Sequence, residues 1–224
     1  MRRVLLHEAM TGKFITFEGG DGAGKSTQIR ILATRLQNSG RTVVTTREPG
    51  GTPTAETIRR LLLSGLAEPL GAEGEAILFA AARADHVDRV IRPALERGDW
   101  VLSDRFVDST RVYQGGAGAG ETLLNALERV AVGGTRPDLT FILDIPAELG
   151  LERVRERLVT VGAPPDRFEG EALAEQERRR QAFLAIAAKE PDRCVVVDGT
   201  QRQEHIADHI WRAVSERLLG EAAA

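Results

Sequence analysis

A short apolar segment at residues 14–18 leads directly into a loop that matches the pattern G-x-x-x-x-G-K-[ST], and a helical pattern follows at 27–37. Glycines in such a loop let the backbone turn its N–H groups inward, where they bind phosphate oxygens at the N-terminus of the helix. Lys25 adds a positive charge for the β- and γ-phosphates, and the Ser26 hydroxyl is suited to bind Mg²⁺. We therefore predict a nucleoside triphosphate site formed by Gly19, Gly20, Asp21, Gly22, Ala23, Gly24, Lys25, Ser26 and Thr27.

Strand and helix patterns alternate along the rest of the chain. The predicted strands are 14–17, 42–46, 100–102, 139–145 and 194–197. The predicted helices that separate them include 54–63, 72–96 and 122–132. This alternation predicts an α/β fold with a five-stranded parallel sheet flanked by helices. In such sheets, ligands bind at the carboxyl ends of the strands.

The composition excludes several classes of protein. The formal net charge of the 224 residues is −3, so no basic surplus favours nucleic acid or an anionic membrane as a partner. No apolar run approaches the ~20 residues of a membrane span. The one cysteine, Cys194, lies in an apolar strand pattern, where we expect a buried thiol and no intrachain disulfide. We expect a cytoplasmic protein with a single domain at 13–224, preceded by a disordered extension at 1–12 that lacks the hydrophobic stretch of a signal peptide.

Arginines follow two of the predicted strands. Arg47 comes directly after the second strand and Arg105 directly after the third, so both side chains can reach the crevice that holds the triphosphate. Two guanidinium groups there can hold a second phosphate group through bidentate hydrogen bonds. The acceptor of a phosphoryl group is thus expected beside the donor.

Two further pairs of residues carry groups that can contact a base and a sugar. Phe79 and Arg83 are four residues apart on the long predicted helix and share a face, so they can stack on a base and hydrogen-bond to it. Helical spacing alone favours core packing for Phe79. Tyr113 and Gln114 place a phenol beside an amide, which suits the edge of a pyrimidine and its sugar but is a weak signal alone.

An arginine-rich segment lies at about 151–169. It contains Arg153, Arg155, Arg157 and Arg167, and the turn Gly-Ala-Pro-Pro at 162–165 interrupts it. Such a density of charge, flanked by helix and broken by prolines, predicts a small mobile lid. A solvated, arginine-rich helix face is the alternative interpretation.

Taken together, these segments resemble the thymidylate kinase family. The matching stretches are the loop at 19–27 and residues 46–52 (TREPGGT), 79–83, 104–115 (DRFVDSTRVYQG), 136–140, 143–144 and 166–169. The R-E-P-G-G and D-R-…-Y-Q-G stretches are far more specific than the phosphate-binding loop. The resemblance implies the fold of the P-loop nucleoside monophosphate kinases and transfer of the ATP γ-phosphoryl group to dTMP, which gives dTDP, a step in dTTP synthesis. It also implies Mg²⁺ as cofactor and a homodimer.

The resemblance also implies roles for particular residues. Arg47 and Arg105 would hold the dTMP phosphate, and Phe79 would stack on thymine. Asp21 would reach the 3′-hydroxyl, and Tyr113 would crowd the 2′ position and reject ribonucleotides. The complete implied dTMP site is Asp21, Arg47, Phe79, Arg83, Arg105, Ser109, Tyr113 and Gln114, in which Arg83 and Gln114 read the polar edge of the base.

The catalytic and metal groups follow from the same resemblance. The variable positions of the loop carry no arginine, as in bacterial members, in which a lid arginine acts instead. The implied catalytic residues are therefore Lys25, Arg105 and a lid arginine, which is one of Arg153, Arg155, Arg157 and Arg167. Of these four, we select Arg153 and Arg157 as the candidates. Asp104 would lie near the metal together with Ser26. No general base is required, because the acceptor is already an ionised phosphate.

Two other functions were weighed. A deoxynucleoside kinase would need a carboxylate base for a neutral hydroxyl acceptor, and Glu18 at the end of the first strand fits that description. A GTPase switch would carry the base-reading motif N-K-x-D. That motif is absent, because Asn38 precedes serine and Asn125 precedes alanine.

Overall fold

In the computed structural model, which describes residues 12–161 and 172–220, five parallel strands form one sheet. The strands are β1 (Phe14–Glu18), β2 (Val43–Arg47), β3 (Trp100–Asp104), β4 (Leu139–Asp144) and β5 (Cys194–Asp198). Their order across the sheet is β2-β3-β1-β4-β5, which makes β1 the central strand. The predicted five-stranded parallel sheet is confirmed.

Helices cover both faces of this sheet. They are α1 (Lys25–Asn38), α2 (Pro53–Leu63), α3 (Gly71–His86), α4 (Arg92–Glu96), α5 (Val107–Gly116), α6 (Glu121–Val132), α7 (Ala147–Val161), α8 (Leu173–Lys189) and α9 (Gln203–Val214). A 3₁₀ turn spans Glu68–Leu70, and π-helical turns span Val87–Ile91 and Ser215–Leu219. None of the helices in the described part of the chain is long and apolar enough to cross a membrane.

The central strand is buried along its whole length. Because successive side chains of a strand point to opposite faces, β1 contributes to two cores. Ile15 and Phe17 belong to a core that includes residues of α1 and α9, whereas Phe14 packs with Val101 and Phe106 on the other face. Burial on both faces explains why these strands read as apolar runs rather than as alternating patterns.

Polar side chains within the sheet are also buried and paired. The hydroxyl oxygens of Thr16 on β1 and Thr140 on β4 lie 2.7 Å apart, and both residues are fully buried. Cys194 at the start of β5 is buried, as predicted, and burial raises the pKa of its thiol to about 11.

The helical region predicted at about 72–96 is present, but the type of helix changes within it. Helix α3 ends at His86, a π-helical turn follows, and α4 begins again at Arg92. Pro93 accounts for the interruption, because it has no N–H for a regular helical hydrogen bond. Within α3, Ile77 is 50% exposed although its spacing matched the apolar positions of the pattern.

Helix α5 was not predicted as a helix. Its sequence, VDSTRVYQGG, contains three β-branched residues and two glycines, which have low helix propensity. Burial of Val107, Val112 and Tyr113 stabilises it instead. This helix carries much of the acceptor-side motif, so its position matters for the site.

The predicted lid at about 151–169 is described only in part. Its first residues form the C-terminal half of α7, and α8 begins at Leu173. Arg167 lies outside the described residues, as do residues 1–11 of the predicted extension.

Candidate active site

The phosphate-binding loop joins the central strand to α1. Gly22 has a φ of 77°, and a Cβ atom there would collide with the carbonyl oxygen of Gly150, so both the conformation and the space require glycine. The ammonium group of Lys25 donates to the carbonyl oxygens of Gly19 (3.1 Å) and Gly20 (2.8 Å). Burial and the neighbouring Arg105 lower the pKa of Lys25. Carbonyl groups of the loop therefore hold the lysine side chain in a fixed position.

The two predicted metal ligands lie side by side. Ser26 at the start of α1 donates a hydrogen bond of 2.6 Å to Oδ2 of Asp104, at the carboxyl end of β3. A hydroxyl and a carboxylate are oxygen donors of the type that Mg²⁺ prefers. Among the described residues, no cluster of three or more His, Cys, Asp or Glu side chains could hold a metal. This pair fits a cation that takes most of its ligands from phosphates and water.

A cavity of about 600 Å³ extends from the loop along the carboxyl edge of the sheet. The predicted site residues that line it are Asp21, Gly22, Gly24, Lys25, Ser26, Thr27, Arg47, Phe79, Arg83, Asp104, Arg105, Ser109, Tyr113, Gln114, Arg153 and Arg157. Of the remaining loop residues, Gly19 and Gly20 line a smaller cavity, and Ala23 is buried. Donor-side and acceptor-side residues thus share one space.

Arg105 lies where the two sides meet. Its φ of 71° is in the left-handed region, which is rare for a residue other than glycine. One terminal nitrogen, Nη2, donates to Asp21 (2.6 Å), and the other, Nη1, donates to Ser109 (3.0 Å) and to the Gly19 carbonyl (3.2 Å). Burial would raise the pKa of Asp21, but the charges of Arg105 and Lys25 outweigh it and lower that pKa to about 2.

Glu18 fixes the turn that carries Arg105. Its side chain is fully buried, and its two carboxyl oxygens accept hydrogen bonds from Phe106 N (2.8 Å), Ser109 N (3.3 Å) and Ser109 Oγ (2.6 Å). Burial, followed by the charge of Asp108, raises the pKa of Glu18 to about 7. Glu18 is bound to the turn between β3 and α5 and does not line the large cavity. This geometry removes the carboxylate that a deoxynucleoside kinase would have used as a base.

Arg83 is held by a buried network rather than lying free in the cavity. It is 4% exposed, and its Nε donates to Oε2 of Glu48 (2.7 Å). Its Nη2 donates to the carbonyl oxygen of Phe106 (3.0 Å) and to Thr110 Oγ1 (2.9 Å). The other oxygen of Glu48 lies 3.0 Å from Nδ1 of His86, one turn along α3. The guanidinium plane of Arg83 is therefore set by contacts to three different elements.

The same network explains a glycine of the R-E-P-G-G stretch. Gly51 has a φ of 87°, and a Cβ atom there would lie 2.5 Å from Cδ2 of the buried His86 ring. Nε2 of that ring lies 2.7 Å from Thr46 Oγ1 on β2. The R-E-P-G-G turn thus packs closely against the His86 ring. His86 contacts Glu48, and Glu48 in turn binds Arg83.

Arg47 occupies a more open position. Its side chain is 56% exposed, and Nη2 lies 3.0 Å from Oε1 of Glu56 on α2. Arg59, on the same helix, also lines the cavity and donates to the carbonyl oxygen of Pro49 (2.8 Å). The acceptor side therefore has two inner arginines, the buried Arg83 and the partly buried Arg105, and two at its rim.

Tyr113, Gln114 and Phe79 form another part of the wall. Tyr113 and Gln114 are buried on α5 and line the cavity. Phe79 is half-buried, packs against the apolar cluster that contains Tyr113, and also lines the cavity. Phe79 thus contributes both to the core and to the cavity wall, and its stacking on a base stays a prediction. Burial raises the pKa of Tyr113.

Two of the lid arginines reach the cavity. Arg153 and Arg157 are one turn apart on α7 and line it. Arg153 Nη1 donates to the carbonyl oxygens of Gly22 (3.3 Å) and Gly199 (3.4 Å). Arg155 is exposed and does not line the cavity.

Comparisons with known proteins agree with this geometry. A family model described as thymidylate kinase matches residues 17–210. A thymidylate kinase from Bradyrhizobium sp. (strain ORS 278) is 56% identical over 214 residues, covering 95% of this chain and 94% of that protein. This chain belongs to the thymidylate kinase family. A thymidylate kinase from Nitrobacter winogradskyi is 55% identical over 218 residues, 97% of this chain and 94% of that protein. The crystal structure of a thymidylate kinase from Ehrlichia chaffeensis has a TM-score of 0.71 at 33% identity and covers 91% of this chain and 98% of that one.

Membership of the thymidylate kinase family confirms the predicted fold class, that of the P-loop nucleoside monophosphate kinases. It also confirms the predicted activity: the chain is a nucleoside monophosphate kinase that phosphorylates dTMP to dTDP, and ATP is the phosphate donor. The alternative of a deoxynucleoside kinase is not favoured, which agrees with the buried, fully engaged Glu18.

Reasoning from the sequence missed four residues of the site. Glu48 and Thr110 hold Arg83, His86 holds Glu48, and Arg59 lines the rim. Glu48 and Thr110 lie within the stretches 46–52 and 104–115, which were already singled out as specific. The spacing of Arg83 and His86, three residues apart on a helix, was a further available signal.

Proposed function

We propose that this chain transfers the γ-phosphoryl group of ATP to dTMP within the large cavity, with Mg²⁺ bound at Ser26 and Asp104. The observation that carries the proposal is the position of Arg105. Its guanidinium contacts Gly19 and Asp21 of the phosphate-binding loop and Ser109 of α5, so one group contacts elements of both sides. A cation at this point can hold the acceptor phosphate and stabilise the charge that develops on the transferred group.

The chemistry requires alignment and positive charge rather than covalent participation of the protein. Phosphoryl transfer proceeds through a loose transition state in which negative charge spreads over the equatorial oxygens. Lys25 is buried and the Arg105 side chain is 16% exposed, so both cations lie in a partly desolvated cavity, where their electrostatic effect on these oxygens is larger than in water. The dTMP phosphate is already ionised, so its oxygen can attack without a base.

Ser26 and Asp104 would hold the metal. Mg²⁺ retains several waters and binds one or two protein oxygens together with substrate phosphates, which fits a single hydroxyl–carboxylate pair. When bound, the ion would neutralise charge on the donor phosphates.

The acceptor would lie between the rim arginines and α5. Arg47 and Arg105 would hold the dTMP phosphate, and Phe79 would stack on the base. Arg83 and Gln114 present polar groups at the buried end of the cavity, where thymine would place its oxygen and nitrogen atoms. In the described structure Asp21 forms an ion pair with Arg105. The 3′-hydroxyl would therefore either displace Arg105 from Asp21 or bind to the same carboxylate beside it.

Arg153 and Arg157 are proposed as the lid arginines. Arg153 already contacts the carbonyl of Gly22, and the charge of Arg157 contributes to the lowered pKa of Asp21. The proposed lid spans about 151–169, within a single domain at 13–224 that follows an extension at 1–12.

A homodimer is proposed through the surface of α3 and α6. Exposed apolar side chains lie on these neighbouring helices and on the segment before α3: Leu66, Leu70, Ile77 and Val130. Exposed apolar groups of this kind are typical of protein–protein contacts. Sedimentation analysis of Ile77→Asp against the parent chain tests this, and a monomer is expected. We also propose a cytoplasmic location, with no nucleic acid or membrane partner, in keeping with the net charge of −3.

A coupled assay of ADP release tests the function. With ATP and Mg²⁺, the enzyme should turn over dTMP, whereas thymidine in place of dTMP should give little or no product. Turnover of thymidine at a rate similar to that of dTMP would contradict the proposal, because it would require a base that the site does not present.

A further inference from the structure

Arg179 on α8 is a buried charge outside the cavity. The residue is 5% exposed, and its guanidinium carbon lies 4.1 Å from the centre of the Tyr113 ring. This separation is well within the distance at which an arginine and an aromatic ring attract each other. Tyr113 lines the cavity, whereas Arg179 does not. The contact therefore reaches the wall of the acceptor site from a helix that does not itself form that wall.

The same face of α8 contacts Tyr113 a second time. Phe183 is four residues after Arg179, so both side chains lie on one face of the helix. The Phe183 ring centre is 6.5 Å from that of Tyr113, with an interplanar angle of 67°, in an edge-to-face arrangement. Helix α8 also packs against α7, which carries Arg153 and Arg157. It thus lies between the lid helix and the helix that carries Tyr113.

The neighbouring arginines of α8 have different surroundings. Arg178 is 77% exposed and forms a surface ion pair with Glu175, and Arg180 forms two hydrogen bonds with Asp144. Arg179 forms a longer ion pair with Glu175, at 3.5 Å. Arg179 is thus the buried member of these three arginines, and its guanidinium lies against an aromatic ring.

Tyr113 itself contacts a second guanidinium. Arg105, which contacts both sides of the cavity, has its guanidinium carbon 5.1 Å from the same ring centre. Any displacement of the Tyr113 ring would therefore alter both the wall of the sugar site and the surroundings of Arg105.

We propose that Arg179 is a positioning residue of the acceptor site: it fixes the ring of Tyr113 by a buried cation–π contact, so that α8 sets the wall that selects the deoxyribose. The proposal deepens the proposed function and rests on it, because Tyr113 borders the sugar only if dTMP binds as described above. Arg179 acts through Tyr113 and does not touch the substrate.

Kinetic comparison of Arg179→Leu with Arg178→Leu tests the role. Loss of a desolvated cation–π contact corresponds to on the order of tenfold, so we expect the KM for dTMP to rise about tenfold in Arg179→Leu. The preference for dTMP over its ribonucleotide should fall several-fold, while kcat changes by less than about threefold, because the reacting groups are untouched. Arg178→Leu should behave like the parent enzyme, and Arg179→Lys should retain part of the effect because it keeps the cation.

A spectroscopic measurement tests the contact itself. Tyr113 is the only tyrosine of the chain, so enzyme that contains 3-fluorotyrosine gives one ¹⁹F resonance. This resonance should move in Arg179→Leu and stay in place in Arg178→Leu. If Arg179→Leu does not fold, the same measurements are made on Arg179→Met, which also removes the cation, and on Arg179→Lys, which keeps it. The change should then be larger in Arg179→Met than in Arg179→Lys.

An unmoved resonance would overturn the proposal, as would a moved resonance with unchanged KM and sugar preference. Failure of the proposed function is distinguishable, since it would appear as unchanged sugar preference in Tyr113→Ala while the ¹⁹F shift in Arg179→Leu remained.

Discussion

The donor and acceptor sides of the cavity are built in different ways. The donor side is one continuous stretch, residues 19–27, in which backbone groups and Lys25 supply the contacts. The acceptor side takes its residues from several elements and fixes them through hydrogen-bonded side-chain pairs, such as the buried pair of Arg83 with Glu48 and the partly buried pair of Arg105 with Ser109. A local loop can be recognised from its sequence pattern, whereas a distributed site depends on partners that are distant in the sequence. We therefore expect single substitutions to act differently on the two sides.

The largest effect is expected where the lid meets the donor side. Alanine substitution of Arg153 or Arg157 should lower kcat by ~10³-fold or more if the residue acts on the transferred phosphate, as an arginine finger does. The KM for dTMP should change little. The exposed Arg155 serves as the control, since a solvated surface arginine contributes almost nothing. Near-normal kcat in both variants would show that α7 carries a charged surface rather than a catalytic lid.

On the donor side itself, Lys25→Ala should lower kcat by ~10²-fold or more, because it removes a buried cation that acts on the transferred group. The fold should persist, since the loop is held mainly by its backbone. Steady-state kinetics together with a thermal unfolding curve check both points. A variant that keeps more than about a tenth of the parent kcat would refute the assignment.

At the junction of the two sides, the pKa of Glu18 predicts a pH dependence of stability. Its pKa is raised from 4.5 to about 7, so below pH 4.5 the carboxyl is protonated in both the folded and the unfolded chain. As the pH rises from 4.5 to about 7, the unfolded chain ionises first, and the folded state loses stability on the order of 3 kcal/mol. Above about 7 the loss levels off.

Urea unfolding of the parent chain and of Glu18→Gln at several pH values isolates this effect. The difference in unfolding free energy between them should shift in favour of the variant as the pH rises through this window. A difference that does not vary with pH would mean that folding does not shift the pKa of Glu18.

On the acceptor side, Glu48→Gln tests the buried network. The substitution removes the charge that pairs with Arg83 at 2.7 Å, so the KM for dTMP should rise on the order of tenfold, with a smaller change in kcat. The measurement is a comparison of KM and kcat with dTMP at saturating ATP. If kcat fell as far in Glu48→Gln as in Lys25→Ala while the KM for dTMP stayed unchanged, the two sides of the cavity would not differ in the way described.

The smallest effect is expected for sugar selection. Tyr113→Ala should improve the use of the ribonucleotide relative to dTMP by about tenfold or less, since removal of steric crowding changes discrimination by only ~1 kcal/mol. The ratio of kcat/KM for the two acceptors measures it. If the ratio of kcat/KM for dTMP and the ribonucleotide is unchanged in Tyr113→Ala, Tyr113 has a purely structural role.

Most of the fold and all of the loop could be predicted from the sequence, because both depend on local patterns. Four of the strands contain apolar runs, β2 is rich in β-branched residues, and the phosphate-binding motif is contiguous. Helix α5 was missed because tertiary burial stabilises a segment of low intrinsic propensity. The π-helical turn at Val87–Ile91 was not predicted because an apolar periodicity does not distinguish a π-helical turn from α-helix.

The acceptor network was less accessible. Arg47 and Arg105 were identified because they follow strands directly. The fold brings together residues that are distant in the sequence. Arg83 and Thr110 are 27 residues apart, and Glu48 and His86 are 38 residues apart. Their residue types alone give no sign of this pairing.

The central claim is that donor and acceptor bind in one cavity with Arg105 in contact with both sides. Calorimetric binding of a compound that joins adenosine to thymidine through five phosphates tests it most directly. Because one molecule would occupy both sites, it should bind at least ~10²-fold more tightly than ATP or dTMP alone, and Arg105→Ala should lose most of that gain. The matched compound, in which five phosphates join two adenosines, should not show this gain in affinity. Equal affinity of the thymidine compound and ATP, unaffected by Arg105→Ala, would contradict the account.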